Sequence, residues 1–75
     1  MLKNLIKLRK QLGITQEELA KESDMHARNY RRIENEGQEI KLYDAIAIYK
    51  YIVAVAAQSG GDLRDLNLFN LFNQE

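Results

Sequence analysis

An all-α domain of five helices is expected from these 75 residues. Apolar side chains recur at three- and four-residue spacing through most of the chain, the period of a helix face. Gly13, Gly37 and the Ser59-Gly60-Gly61 run interrupt those segments where helices would stop, and no proline adds a further break. The stretch from Thr15 to Glu18 also carries a full helix-start signal.

Leu2, Leu5, Leu8 and Leu12, with Ile6 alongside, give residues 2–12 one apolar face and leave lysines on the other, and Gly13 closes this first helix at C′. For the second helix, Thr15 can cap the free amides, Glu18 can complete a capping box, and Ile14 can staple against Leu19. Leu19 and Ala20 mark its buried side. Ser23-Asp24 breaks the run, and Met25 adds an apolar contact before a third segment from about 26 to 35. Two short helices across a tight turn are the helix-turn-helix arrangement, which sets its second helix into the DNA major groove.

Beyond the loop at Glu36-Gly37-Gln38, residues 42–58 read as a long fourth helix. Leu42, Ala45, Ile46, Tyr49 and Ile52 line one apolar side, and Ala47, Ile48, Tyr51 and Val55 a second. A helix apolar on two sides is central to a core or shared with a partner. Asp62, followed by Asp65, starts the last segment, DLRDLNLFNLF, read as a short helix; the alternation Leu66, Leu68, Asn70, Phe72 also permits a strand. Its apolar residues outnumber one face of a peripheral helix, so Leu66, Leu68, Phe69 and Phe72 are expected to meet another copy of the chain. Residues 1–58 then form the helix-turn-helix core, and 59–75 a dimerisation element of the same domain.

On the third segment, Ala27, Tyr30 and Ile33 fall on one side at about 100° per residue. Arg28, Arg32 and Asn35 fall opposite, flanked by Asn29 and Arg31. Arginine can bond guanine bidentately and asparagine adenine, and all of these side chains can bind phosphate. The same face would also suit plain solvation; the capped helix before it argues for the groove. Net charge is zero, but residues 1–32 hold eight basic and four acidic side chains, whereas 33–75 hold three and seven. Such a chain can turn a positive half to phosphate and an acidic half away, although chance partitioning would give the same count.

Composition removes other classes. Cysteine is absent and His26 is the single histidine, so no disulfide, metal site or cofactor is expected. No glycine-rich phosphate loop or carboxylate pair marks an enzyme. The longest apolar run, Ile52 to Ala57, is far below the ~20 residues that span a membrane, and no secretory segment is visible, so the protein is read as cytoplasmic.

The run LIKLRKQLGITQEELAKESDMHARNYRRIENEG resembles the first three helices of the phage-repressor type, or Xre and lambda-repressor-like, helix-turn-helix family. The likeness is close over residues 5–37 and looser to about 52. It implies a lambda-repressor-like fold, double-stranded DNA as partner, and a bacterial or phage origin. By the same resemblance Arg9 pairs with Glu34 as a structural ion pair, Gln16 binds phosphate, and Ala27, Arg28 and Arg32 stand where relatives read bases. Asn29, Arg31 and Asn35 fall to backbone or flanking contacts.

Several positions depart from the family pattern. Asp24 holds the turn position that favours Gly, and His26 stands where Ser or Thr usually caps the recognition helix, leaving that cap weak or supplied by Asp24. Tyr30 replaces a small aliphatic residue, as a core side chain or with its hydroxyl reaching the surface or bonding across the core. The loop after Glu34 is one residue longer and lacks a proline. The function implied is a homodimeric, sequence-specific repressor. The alternative is an antitoxin or other interaction protein that masks a protein partner and also binds its own operator.

Overall fold

Helices α1 (Lys3–Gln11), α2 (Gln16–Glu22), α3 (Ala27–Glu36), α4 (Leu42–Gln58) and α5 (Leu68–Leu71) follow one another in the computed structural model, which describes residues 2–60 and 66–72. No strand occurs among the described residues, and no helix there is long and apolar enough to cross a membrane. Helix α2 packs on α3 and α4, and α5 on α4 and α1. Leu5, Leu19, Tyr30, Ile33, Ile48, Ile52 and Leu71 meet at the centre.

Turn chemistry fixes how α1, α2 and α3 are joined. Gly13 takes a left-handed φ of 72°, and the amides of Gly13 and Ile14 bond the carbonyls of Lys10 and Arg9, both at 3.1 Å. This double closure of the helix end drops Ile14 into the core. Thr15 then caps α2, its hydroxyl oxygen accepting from the Glu18 amide at 3.0 Å. The other half of the expected capping box is not made. The Glu18 carboxylate instead accepts from the Tyr51 hydroxyl at 2.6 Å, tying α2 to α4. That bond, more than any other effect, pushes the Tyr51 phenol up to about 12.

The end of α2 repeats the closure with a less suitable residue. Asp24 sits at φ 57°, with its amide on the Lys21 carbonyl at 3.1 Å and that of Met25 on Ala20 at 2.9 Å. A side chain in this region carries strain that glycine avoids. Asp24→Gly is therefore expected to raise stability by about 0.5–1 kcal/mol in chemical denaturation; a loss of stability would mean that the carboxylate has a role the turn does not reveal. His26 begins α3 without a side-chain cap, so that helix is held by burial of Tyr30 and Ile33. Gly37 closes it at φ 70°. Glu36, placed in the loop by the sequence, is the last helical residue.

The apolar faces of α4 are resolved differently from either expected side. Its buried row is Ala45, Ile48, Ile52 and Ala56, which takes members from both, while Leu42 and Ile46 face outward. With only Asp44 and Lys50 charged in seventeen residues, the pattern of α4 cannot choose a face, and packing of α2 and α5 does so. In the C-terminal segment, residues 68–71 form one helical turn and not a strand. Asn67 caps it, accepting from the Asn70 amide at 2.8 Å. The expected start at Asp62 lies outside the described residues. Leu71 enters the core, Leu66 and Phe72 pack half-buried against it, and Leu68 is half-buried. The Asn4 side-chain amide donates to the Asn70 carbonyl at 2.8 Å, and the Tyr49 hydroxyl to that of Leu66 at 3.4 Å. Much of the apolar surplus that suggested a second copy is thus absorbed by the chain itself, leaving Phe69 exposed.

Candidate nucleic-acid interface

Helix α3 is pinned from behind by a buried ion pair. Arg9 of α1 donates from Nε to Glu34 Oε2 at 3.0 Å and from Nη2 to Oε1 at 2.8 Å, in the parallel fork that guanidinium and carboxylate match best. Its Nη1 donates to the Ile14 carbonyl at 2.8 Å, and Gln16 Nε2 donates to Glu34 Oε1 at 3.0 Å. Side chains of α1 and α2 therefore meet on one carboxylate of α3, and the same guanidinium holds the turn at Ile14. Burial alone would push the Glu34 carboxyl up, but the hydrogen bonds from Arg9 and Gln16 and the Arg9 charge outweigh it and hold it below the ordinary carboxylate range.

Tyr30 is fully buried beside this pair. Burial first, and then the neighbouring carboxylate, drive its phenol far above the usual range, so it stays neutral. Neither route considered for its hydroxyl is taken: it does not reach the surface, and it lies near both charges without a well-formed hydrogen bond. We regard it as a nearby dipole and assign the bracing to Arg9 and Gln16.

The opposite side of α3 is open. Arg28, Arg32 and Asn35 are exposed together on it, while Ala27 is half-buried at its start. The flanking side chains are already engaged. Arg31 Nη1 lies 3.7 Å from Glu17 Oε1 of α2, and Asn29 Oδ1 accepts from Gln38 Nε2 at 2.7 Å. Neither pairing has a local sequence signal, since the partners are fourteen and nine residues apart and belong to different elements. Gln16, expected to face phosphate, turns its amide nitrogen inward to Glu34. A cleft of about 430 Å³ between the end of α2 and the start of α3, lined by Ala20, Met25 and Ala27 with Glu17, Lys21, Asp24 and His26 around it, leaves the first turn of α3 approachable.

The site is thus a two-helix unit with its inner side fixed and two arginines exposed on its outer side. Among the described residues, no cluster of His, Cys, Asp or Glu could hold a metal ion. A family model described as helix-turn-helix matches residues 5–52, from α1 through most of α4. No curated protein and no solved structure matches the chain. With five helices among its described residues, the braced turn and a match over more than half its length, the chain belongs to the Xre or lambda-repressor-like helix-turn-helix family, and is a DNA-binding helix-turn-helix regulator.

Proposed function

We propose that the chain acts in the cytoplasm as a sequence-specific, homodimeric repressor, with Arg28 and Arg32 reading base edges. The observation that carries this reading is the exposure of both arginines on the face of α3 opposite its buried brace. With its side chains an α-helix is about 10–12 Å across, which suits α3 to a major groove roughly 12 Å wide. Asn35 and, once released from Gln38 and Glu17, Asn29 and Arg31 serve backbone or flanking positions; Ala27 offers a methyl to thymine. Residues 1–58 carry the reading head and 59–75 complete the same domain. Repression follows from occupancy of the operator.

Two copies would place their α3 helices on half-sites about 34–36 Å apart, one turn of DNA. Selection from a random DNA pool is expected to enrich an inverted repeat with roughly that spacing. Enrichment of a single unrepeated site would overturn the dimeric reading, and no enrichment the sequence-specific one. A role in masking a protein partner draws on the exposure of Phe69, Leu42 and Tyr43. It predicts a defined complex with an unrelated chain in which Phe69 becomes protected.

A further inference from the structure

Among the described residues, the outward side of α4 is left exposed. Its buried row turns Tyr43, Ile46 and Lys50 to the opposite side, with Leu42 beside them. Leu42 and Tyr43 are 67% and 73% exposed, and Ile46 39%. Tyr43, Ile46, Lys50 and Val53 also recur at the alternating three- and four-residue spacing of a seam between two helices. We infer that this seam pairs with the same seam of a second copy, antiparallel about a two-fold axis beside Ile46. The inference rests on the homodimeric reading above and specifies where that contact lies.

Charge selects both the occupant and the direction. Parallel pairing would set Lys50 against its own copy. Antiparallel pairing about Ile46 instead brings Lys50 opposite Leu42 and Tyr43 of the second copy, where the ammonium meets an aromatic face. The approach to that helix is acidic as well, with Glu36, Glu39 and Asp44 against the one cation Lys41. A self-complementary patch with one charge and an answering site half a seam away is what an isologous contact requires. The C-terminal segment is poorer material, because Leu71 is in the core and Leu66 and Phe72 pack on it.

Size sets the strength. Helix α4 is about 25 Å long, and large exposed apolar side chains occupy only its first half. The contact therefore falls short of the roughly 800 Å² per partner of a standard stable interface. Pairing is weak in the free protein and is consolidated when two copies occupy neighbouring half-sites.

Because the chain contains no cysteine, a single one introduced beside the axis reports the contact directly. Under mild oxidation, the full chain with Ile46→Cys is expected to form a disulfide-linked dimer about tenfold faster than chains with Gln58→Cys or Phe69→Cys, since only the first is held against its own copy. Adding Tyr43→Glu to Ile46→Cys should remove that advantage. Equal rates for Ile46→Cys and Gln58→Cys would overturn the antiparallel register. Fast cross-linking by Phe69→Cys alone would overturn the α4 seam while keeping the homodimer. Slow cross-linking by all three, with light scattering giving the 8.7 kDa monomer both free and on a single selected operator, would overturn the seam and the homodimer together.

Discussion

Replacing Glu34 with alanine is expected to destabilise the domain by about 3–5 kcal/mol. A chain of this length has only about 4–11 kcal/mol in total, so the variant should stand close to unfolding at 25 °C. The cost comes from what is left behind. Arg9 is 8% exposed, and without the carboxylate its guanidinium retains, among the described residues, the Ile14 carbonyl as its one partner. Arg9→Met combined with Glu34→Leu should recover most of the loss, because an apolar pair leaves no charge stranded. Urea unfolding at unchanged slope measures both effects; a single-variant cost below about 1 kcal/mol would reduce the brace to an ordinary surface pair. The pH dependence has a definite sign. The Glu34 carboxyl titrates lower in the folded state than in the unfolded chain, so its contribution is complete above the unfolded value of about 4.3 and is lost as pH falls through the lower folded value. The urea midpoint should drop on acidification below about pH 4, and Glu34→Gln should flatten that drop.

Local signals carry most of the fold. Thr15, Gly13 and the strained turn at Asp24 act within a few residues of their own positions, and α4 runs from Leu42 to Gln58 as its periodicity implies. What escaped reading is long-range. Glu18 has an acceptable local partner in the capping box, yet its carboxylate goes to Tyr51, thirty-three residues away. The buried row of α4 could not be chosen from a helix apolar on two sides, because the choice belongs to α2 and α5. Leu71 is one of six apolar residues in its segment, with nothing in their spacing to single it out as core. At the site, helical geometry alone groups Arg28, Arg32 and Asn35, since 100° per residue fixes which side chains share a face. The engagement of Arg31 with Glu17 and of Asn29 with Gln38 depends on how α2 and the loop lie across α3, which spacing along the chain does not encode.

Arg28→Ala and Arg32→Ala are each expected to weaken binding to the selected operator by about 1–3 kcal/mol per half-site, the worth of a bidentate base contact. A symmetric dimer carries each change twice, so the effect on the dimer is nearly double where the half-sites act independently. Both side chains are exposed and make no ion pair among the described residues. Their removal should therefore alter folding stability by no more than about 0.5 kcal/mol, which separates loss of recognition from loss of structure. Arg31→Ala serves as the internal contrast. Its guanidinium leans toward α2, where the DNA backbone would pass, so its loss should weaken all sequences alike and lower the slope of log affinity against log salt by about one per contact. Fluorescence anisotropy on the operator and on single-base variants, at several salt concentrations, distinguishes these outcomes. If Arg28→Ala and Arg32→Ala weaken every sequence equally and reduce the salt slope as Arg31→Ala does, they hold phosphate and do not read bases. Specificity would then have to come from Asn35, the remaining exposed hydrogen-bonding side chain of that face, or from the shape of the DNA itself.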